Sequence, residues 1–189
     1  MPTDTGIYTP SDVKRFRYHP VYEIICDFLA EFFTQEEPVI DLGSGPGLYS
    51  RAMAKRGFHC IAIDGSQAAA DAGLFPIQVH DLSKPCQLPK GQVLCLEVGE
   101  HIPRKFESVF LDNVFRCAQH RIVLSWAIVG QSGTGHVNCR DNYWVIERCR
   151  AAGWRVDVDA TERARGIKFG PKWWFRQSIL CFREQQAKA

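Results

Sequence analysis

The stretch VIDLGSGPGLYS, residues 39–50, places an acid and then three alternating glycines at the end of an apolar run. The apolar residues predict a buried strand, and Gly43, Gly45 and Gly47 predict a tight turn into a following helix. Glycines at such a turn let a ligand approach the backbone closely. The pattern therefore predicts that a nucleoside-containing ligand binds over the turn.

Two residues of this stretch argue against a dinucleotide, whose pyrophosphate would lie over the turn. The carboxylate of Asp41, two residues before Gly43, would repel a pyrophosphate and would suit a cationic ligand. Pro46 has no backbone N–H, so it removes one of the donors that a phosphate cradle uses. A nicotinamide or flavin dinucleotide is therefore the disfavoured alternative, and a cationic nucleoside without phosphate is favoured.

Further acids stand where the next predicted strands end. Ligands of parallel α/β sheets bind beyond the carboxyl ends of the strands, so we expect these acids near the same ligand. Asp64, at the end of the second strand, can accept both hydroxyls of a ribose. Asp81 and the N–H of Leu82 can bind the exocyclic amine and a ring nitrogen of adenine. Glu97, after the fourth strand, adds a carboxylate near the cation.

Short apolar strands alternate with helices along most of the chain. This alternation predicts an α/β fold: a Rossmann-like, doubly wound, mostly parallel seven-stranded sheet with helices on both faces. We expect no helix between the last two strands, so they should form a hairpin that makes the last strand antiparallel. The predicted strands are 38–42, 60–64, 75–81, 92–98, 121–127, 154–160 and 175–182. The predicted helices are 21–33, 48–57, 67–72, 103–118 and 141–153.

The ordered series DLGSGPG, IDGS, HDL and CLEVGEHIP resembles the motif series of the class I S-adenosylmethionine-dependent methyltransferases. The resemblance covers about residues 38–103 by motif and nearly the whole chain by element order. It implies S-adenosyl-L-methionine as the cofactor, which has a sulfonium and an ammonium but no phosphate, and S-adenosyl-L-homocysteine as the product. The expected cofactor-binding residues are Asp41, Gly43, Ser44, Gly45, Gly47, Asp64, Gly65, Ser66, Asp81, Leu82, Glu97 and Val98.

The class of methyl acceptor is less clearly encoded. The fourth strand leads into EVGE, residues 97–100, and not into the Asp/Asn-Pro-Pro-aromatic motif of exocyclic-amine DNA methyltransferases. Cytosine-C5 enzymes carry Pro-Cys at this place, whereas Pro85-Cys86 follows the third strand. Both DNA classes are therefore disfavoured, and transfer to oxygen or nitrogen of a small molecule is favoured. An RNA- or nucleotide-directed methyltransferase and a non-catalytic S-adenosylmethionine-binding partner protein are the alternatives.

Methyl transfer from a sulfonium releases a neutral leaving group, so much of the rate can come from positioning the acceptor. A base is needed only where the acceptor must lose a proton. Polar side chains for these roles stand in GEHIP after the fourth strand and in the long, glycine-rich link 126–140 after the fifth. The candidate catalytic residues are Glu100, His101 and His136, and the candidate substrate-binding residues are Tyr22, Trp126, Gln131 and Asn138. We assign no metal ligand.

Two further segments are expected near the active face. The connection 161–176 carries five basic residues and two tryptophans. It either grips an anionic or aromatic acceptor, including a nucleotide, or it is a solvated strand whose tryptophans pack on the sheet, and the second interpretation is favoured. The N-terminal arm contains Tyr18, His19 and Tyr22, which are candidates for a lid over the cofactor.

The composition fits one domain over residues 1–189, with residues 1–19 as an arm or lid and 20–189 as a Rossmann-like core. The net charge of +2 argues against a general nucleic-acid coat or a strongly membrane-attracted surface. No apolar run is long enough to span a bilayer, the N-terminus lacks the apolar centre of a secretory signal, and the eight cysteines contain no C-x-x-C pair. We therefore expect a cytoplasmic protein with reduced thiols. The oligomeric state is not predicted.

Overall fold

A computed structural model describes residues 2–12, 23–168 and 174–185 of the chain. Its α-helices are α1 (Glu23–Phe32), α2 (Leu48–Ala54), α3 (Gln67–Asp71), α4 (Glu107–Cys117), α5 (Asn142–Ala151), α6 (Val158–Gly166) and α7 (Phe175–Ser178). Its strands are β1 (Val39–Leu42), β2 (Cys60–Asp64), β3 (Ile77–Val79), β4 (Gly91–Leu96), β5 (Ala118–Ser125), β6 (Trp154–Val156) and β7 (Ile179–Glu184).

The seven strands form one sheet in the order β3-β2-β1-β4-β5-β7-β6. Strands β1 to β5 pair in parallel, and β7 is antiparallel to both of its neighbours, β5 and β6. Strands β2 and β3 lie on one side of β1, and β4, β5, β7 and β6 follow on its other side. This arrangement confirms the predicted mostly parallel sheet with an antiparallel last strand. The strand order reverses between β1 and β4, and ligands of such sheets bind at this switch point.

Helices cover both faces of this sheet, because successive strand residues point to opposite sides. In β4, Val93 and Cys95 pack in a buried cluster that includes Phe110 of α4. Leu94, between them, packs in a second buried cluster that includes Leu29 of α1. The two clusters are separate hydrophobic cores, one on each face, as the doubly wound pattern predicts.

Side-chain caps set the start of several helices. The carboxylate of Asp141 accepts the N–H of Trp144 at 2.7 Å, so α5 begins where the sequence predicts it. The helix predicted over 103–118 instead opens with a short 3₁₀ turn, Arg104–Phe106, and becomes α-helical at Glu107. In α1, Ile24 is 49% exposed, whereas the neighbouring Ile25 is buried.

The connection between the last two strands differs from the prediction. The strand expected over 154–160 ends at Val156, because Asp157 accepts the N–H of Ala160 at 3.0 Å and caps α6. The connection therefore contains α6 and the short α7, and the helix-free hairpin that we expected is wrong. The antiparallel pairing of β6 with β7 is retained across this longer link. No described helix has the length and apolar character needed to cross a bilayer.

Candidate active site

A cavity of about 570 Å³ lies at the carboxyl ends of the parallel strands. The loops that follow β1, β2, β3, β4 and β5 all contribute to its wall, together with residues 5–8 of the N-terminal segment. These loops carry most of the residues that the sequence analysis selected. The predicted site residues that line the cavity are Gly43, Ser44, Gly45, Asp64, Gly65, Ser66, Asp81, Leu82, Glu97, Val98, Glu100, His101, Gln131 and His136.

The glycine turn after β1 is held against the end of β2. The N–H groups of Gly43 and Ser44 both donate to the carbonyl of Ile63, at 2.8 and 3.0 Å. Gly43 has a φ of 71°, and a Cβ atom built on it would lie 2.4 Å from the side chain of Val98. Only glycine therefore fits this position, both for its backbone angle and for its contact with the loop after β4.

Asp64 organises two loops at once. One carboxylate oxygen accepts the N–H of Gly45 at 2.8 Å, and the other accepts the N–H of Ser66 at 2.8 Å. Burial raises the pKa of Asp64, and these two hydrogen bonds oppose that effect. Each oxygen keeps a further lone pair, so the carboxylate can also accept the two hydroxyls of a ribose in the cavity.

Asp81 and Leu82 stand at the end of β3 and form another part of the wall. One oxygen of Asp81 accepts the N–H and the hydroxyl of Ser83, at 3.0 and 2.6 Å. The other oxygen pairs with the ammonium of Lys84 at 3.1 Å. Leu82 is buried, and its carbonyl accepts a hydrogen bond from Asn113 at 3.0 Å. Asp81 is thus fixed in the wall, with its charge already balanced by a lysine.

Glu97 is held rigidly at the end of β4. Its φ is 55°, a left-handed conformation that costs a residue with a side chain about 1–3 kcal/mol. Its N–H donates to the hydroxyl of Ser125 at 2.9 Å. Its two carboxylate oxygens accept hydrogen bonds from Gln131 and from Ser178, both at 3.1 Å. Such a strained and well-anchored carboxylate is suited to holding a cationic group of a ligand.

Asp41 and Gly47 do not line the cavity, although both were predicted to contact the cofactor. Asp41 is buried within β1, and the hydroxyl of Ser50 donates to its carboxylate at 2.6 Å. Gly47 begins α2, and a Cβ atom there would lie 2.6 Å from the side chain of Phe75. The side chain of Asp41 points to α2, since side chains of a strand alternate between the two faces of the sheet. Asp41 and Gly47 therefore support the glycine turn on the side away from the cavity.

Trp126 and Asn138 were predicted to contact the acceptor, but neither lines the cavity. Trp126 is 1% exposed and packs edge-on against Phe110 and Trp144. Its indole N–H donates to the carbonyl of Asn138 at 2.6 Å. The side-chain amide of Asn138 donates to Glu107 at 2.9 Å. Both residues therefore hold the link after β5 onto the protein.

Replacing Asp41 with asparagine should make stability less dependent on pH. Burial raises the pKa of Asp41 to about 6, against an opposing hydrogen bond from Ser50. Since the folded form holds this proton more tightly than the unfolded chain, Asp41 loses stabilising effect as pH rises through the folded pKa. Relative to Asp41→Asn, the wild-type free energy of unfolding should fall by about 2 kcal/mol between about pH 4.5 and about pH 7. Urea unfolding of both proteins across this range measures the difference, and a constant difference would contradict the burial argument.

The three predicted catalytic residues come together in the wall. Glu100 is 0% exposed, and neither of its carboxylate oxygens has a hydrogen-bond partner among the described residues. The Nε2 atoms of His101 and His136 lie 4.0 and 3.9 Å from the same oxygen of Glu100. Burial, followed by the charge of Glu97, raises the pKa of Glu100 well above its ordinary value. Burial lowers the pKa of His101 to about 4, so this imidazole is neutral at neutral pH.

The link after β5 lies over the active face, as the sequence analysis expected. Residues 130–134 and His136 line the cavity. The N–H groups of Val137 and Asn138 both donate to the backbone carbonyl of Glu100, at 2.9 and 3.0 Å. These bonds fix the link to the loop after β4 and bring His136 to Glu100.

Residues near the N-terminus form part of the wall, and the sequence analysis did not select them. The hydroxyl of Tyr8 lies 3.0 Å from Nε2 of His101 and 3.3 Å from the carbonyl of Thr134. The hydroxyl of Ser66 donates to the carbonyl of Tyr8 at 2.9 Å. No local motif marks this role, because these contacts of Tyr8 are with residues distant in sequence. The residues that we predicted as a lid, Tyr18, His19 and Tyr22, lie in a part of the arm outside the described residues.

Two arginines of the basic connection between β6 and β7 make structural contacts. Arg163 in α6 pairs with Glu31 of α1. Arg165 donates to the carbonyl of Ile179 at 3.0 Å. None of the described basic residues of the segment, Arg163, Arg165, Lys168 and Arg176, lines the cavity, so they do not form the cationic contact with the acceptor that was one of its two interpretations. Its aromatic residues Trp174 and Phe175 do line the cavity. The remaining candidates lie outside the described residues: Tyr18, His19, Tyr22, Lys172 and Trp173.

No protein-family model matches the chain. The mitochondrial ubiquinone biosynthesis O-methyltransferase of Schizosaccharomyces pombe is 31% identical over 108 residues, which are 47% of this chain and 39% of that protein. The chain thus matches about two fifths of the length of this curated relative.

Solved structures match over almost the whole chain. Magnesium protoporphyrin IX methyltransferase from Synechocystis PCC 6803 with bound S-adenosylhomocysteine has a TM-score of 0.67 at 17% identity, over 96% of this chain and 97% of that one. A TehB-like S-adenosylmethionine-dependent methyltransferase from Corynebacterium glutamicum has a TM-score of 0.67 at 13% identity, over 94% of this chain and 100% of that one. The sheet order, the antiparallel last strand and these likenesses confirm the predicted resemblance: the chain has the fold of the class I S-adenosylmethionine-dependent methyltransferases.

Proposed function

We propose that this chain is an S-adenosylmethionine-dependent methyltransferase that transfers a methyl group to oxygen or nitrogen of a small-molecule acceptor. The observation that carries the proposal is the convergence of the glycine turn, Asp64, Glu97 and the pair Glu100–His101 on one cavity at the switch point of the sheet. Because these groups lie at the ends of three different strands, β1, β2 and β4, their convergence is a property of the fold and not of one loop. The solved neighbours that hold S-adenosylmethionine or S-adenosylhomocysteine support this cofactor.

The wall offers a partner for each part of this cofactor. Asp64 has free lone pairs for the ribose hydroxyls, and the glycine turn beside it gives the nucleoside close access to the backbone. Asp81 and Leu82, at the end of β3, stand where the adenine would lie. Glu97 supplies a negative charge for the ammonium group or the sulfonium. Asp41 supports the turn through Ser50 and takes no direct part.

The acceptor would lie against the part of the wall formed by the link after β5 and by α7. This part combines Gln131, His101 and His136 with the aromatic rings of Trp174 and Phe175. Positioning an acceptor in line with the methyl group can contribute roughly 7–11 kcal/mol to catalysis. His136 lines the cavity, with its Nε2 3.9 Å from Glu100, and is our candidate for receiving a proton from the acceptor. The relative named an O-methyltransferase supports oxygen as the acceptor atom.

Two features favour a small acceptor over RNA. The cavity of about 570 Å³ is lined by five loops and the N-terminal segment, and its volume suits ligands of small-molecule size. Arg163 and Arg165 of the basic connection are already engaged with Glu31 and with a backbone carbonyl. They are therefore poorly placed to contact phosphates.

A transfer assay with methyl-labelled S-adenosylmethionine tests the proposal. The protein is incubated with a panel of small phenols, catechols, carboxylic acids and amines, and in parallel with total RNA. We expect release of S-adenosylhomocysteine and label in at least one small hydroxyl compound. Label only in RNA, with a steep loss at higher salt, would support the nucleic-acid alternative. Cofactor binding without release of S-adenosylhomocysteine in any arm, including a metabolite extract, would support the non-catalytic alternative.

A further inference from the structure

We propose that Glu100, His101 and His136 bind a divalent transition-metal cation, with Zn²⁺ as the best match. The sequence analysis assigned no metal ligand, because His136 is 35 residues from His101 and only the fold brings them together. One ligand atom from each residue lies within 4.8 Å of the other two.

The first argument is the unpartnered carboxylate of Glu100. A buried polar group without a partner is costly, and native proteins seldom leave one unless an ion or water satisfies it. Glu100 is 0% exposed, and both oxygens lack a hydrogen-bond partner among the described residues. The backbone N–H groups of Ala127 and of Glu100 itself and the carboxyl group of Glu97 lie near this side chain, but none of them reaches hydrogen-bond geometry, and the charge of Glu97 adds to the need for a cation. A cation would supply the missing partner.

The second argument is the orientation of the two imidazoles. Nδ1 of His101 lies 3.1 Å from the carbonyl of Gly135, and Nδ1 of His136 lies 3.1 Å from the carbonyl of Gln131. A carbonyl only accepts, so the tautomer with the proton on Nδ1 makes both of these hydrogen bonds and leaves each Nε2 with a lone pair for a metal. Histidines that bind metals typically donate their other N–H to a carbonyl or carboxylate in this way. Both Nε2 atoms face the same oxygen of Glu100.

The third argument is the spacing. The Nε2 atoms lie 4.0 and 3.9 Å from the Glu100 oxygen, which is too long for a hydrogen bond. Ligand atoms of a four-coordinate zinc ion are about 3.4 Å apart, so small rotations of the three side chains would bring them to an ion between them. The hydroxyl of Tyr8 donates to the carbonyl of Thr134 at 3.3 Å and also lies 3.0 Å from Nε2 of His101, so it must move away from that nitrogen when a metal binds.

The ligand set selects the class of metal. Two imidazole nitrogens and one carboxylate oxygen suit zinc better than magnesium or calcium, which prefer oxygen ligands alone. A three-residue set leaves a fourth position open, and here all three residues line the cavity.

The open position also suggests what the metal would do, and this step rests on the proposed function. With a cation bound, Nε2 of His136 is a ligand and cannot also receive the proton of the acceptor, so the metal would take over this role. An acceptor hydroxyl bound to the cation would release its proton to water more readily. Its oxygen would then form a bond to the methyl carbon while the carbon–sulfur bond breaks, and the electron pair of that bond would remain on the neutral sulfur of S-adenosylhomocysteine. The inferred acceptor class is therefore a hydroxyl compound that can coordinate a metal.

Calorimetric titration of the chelator-treated full chain with Zn²⁺ tests the site. We expect one equivalent to bind to the wild type, and we expect His136→Asn and Glu100→Gln each to weaken binding at least about 100-fold. Asparagine can keep the hydrogen bond to the carbonyl of Gln131 while lacking Nε2. The matched control is His120→Ala, which removes an exposed histidine that also stands beside two carboxylates, Glu37 and Glu184, and should leave the affinity unchanged.

A second measurement separates loss of the site from loss of the fold. The absorption bands of bound Co²⁺ should appear in the wild type and in His120→Ala and should be absent from His136→Asn, while urea midpoints of the three proteins remain similar. Full Zn²⁺ affinity in His136→Asn would overturn the inference, as would absence of stoichiometric binding to the wild type. If His136→Asn proves unfolded, Glu100→Gln is measured in its place. Full Zn²⁺ affinity in Glu100→Gln would then overturn the inference.

Titration with S-adenosylhomocysteine in the absence of metal distinguishes this inference from the proposed function. Binding of S-adenosylhomocysteine without binding of Zn²⁺ would overturn the metal site and leave the methyltransferase proposal intact. Binding of Zn²⁺ at these residues without binding of S-adenosylhomocysteine would support the metal site and overturn the proposed cofactor.

Discussion

Replacing Asp64 with alanine should weaken the binding of S-adenosylhomocysteine at least about 100-fold. Its carboxylate accepts the N–H groups of Gly45 and Ser66, so the substitution releases two loops of the cavity wall. It also removes the acceptor that we assign to the ribose hydroxyls. Hydrogen bonds to a charged group contribute about 1.5–3 kcal/mol each, and the loss of two corresponds to this change in affinity.

Calorimetry with S-adenosylhomocysteine measures this effect on wild type and variant at one salt concentration. Asp71→Ala is the matched control, because Asp71 is an exposed carboxylate at the end of α3 whose side chain contacts Gln67. Its affinity should equal that of the wild type. An affinity for Asp64→Ala within about threefold of the wild type would remove Asp64 from the cofactor site.

Replacing His136 with asparagine should slow methyl transfer by about 100-fold or more while changing the affinity for S-adenosylhomocysteine less than about threefold. A positioned proton acceptor typically contributes 10²–10⁴ to a rate, and a lost metal ligand has an effect of at least this size. His136 belongs to the link after β5, whereas the groups assigned to the cofactor follow β1 to β4. The reaction step and cofactor binding should therefore respond separately.

The measurement is a single-turnover rate with an acceptor from the transfer assay, combined with calorimetry on the same preparations. His59→Asn serves as the control, since His59 is an exposed histidine outside the cavity wall. A normal single-turnover rate in His136→Asn would exclude both the proton-transfer role and the metal role of this side chain. Equal losses in rate and in cofactor affinity would instead show that His136 shapes the whole cavity.

Much of the fold and of the cavity wall could be predicted from sequence because the relevant signals are local. Asp64 and Glu97 stand directly after apolar runs, Asp81 follows the short predicted strand that contains Ile77 and Val79, and the carboxyl ends of parallel strands meet at one edge of the sheet. Knowing the order of strands and turns was therefore enough to place these side chains around one cavity.

The connection before β7 was misjudged because two signals overlap there. The alternation of valine and aspartate in WRVDVDA is typical of a strand, and it concealed the cap that Asp157 forms for α6. Val158, which the strand interpretation would have paired in the sheet, is 58% exposed. The residues that follow Val158 favour a helix, and this helix, α6, packs against β7. The segment is therefore helical, although its first residues alternate like those of a strand.

Other parts of the site could not be predicted because they depend on direction and on distant contacts. Asp41 has the residue type and position of a cofactor ligand, but its side chain points to Ser50. Trp126 follows β5 directly, yet its ring is enclosed between α4 and α5. Tyr8 reaches the wall across 93 residues of sequence to His101, with no motif of its own. Sequence spacing carries little information on such contacts.

The position of β7 inside the sheet has a consequence for synthesis on the ribosome. Strand β6 pairs only with β7 in the described sheet, and β5 has β7 as its outer neighbour. As the chain emerges, β1 to β5 can assemble in order, but β6 has no hydrogen-bonding partner until residues 179–184 are available. Until then its backbone groups and one side of β5 are open edges that can pair with other nascent chains. Premature termination before residue 179 should accordingly give aggregates instead of a smaller folded protein.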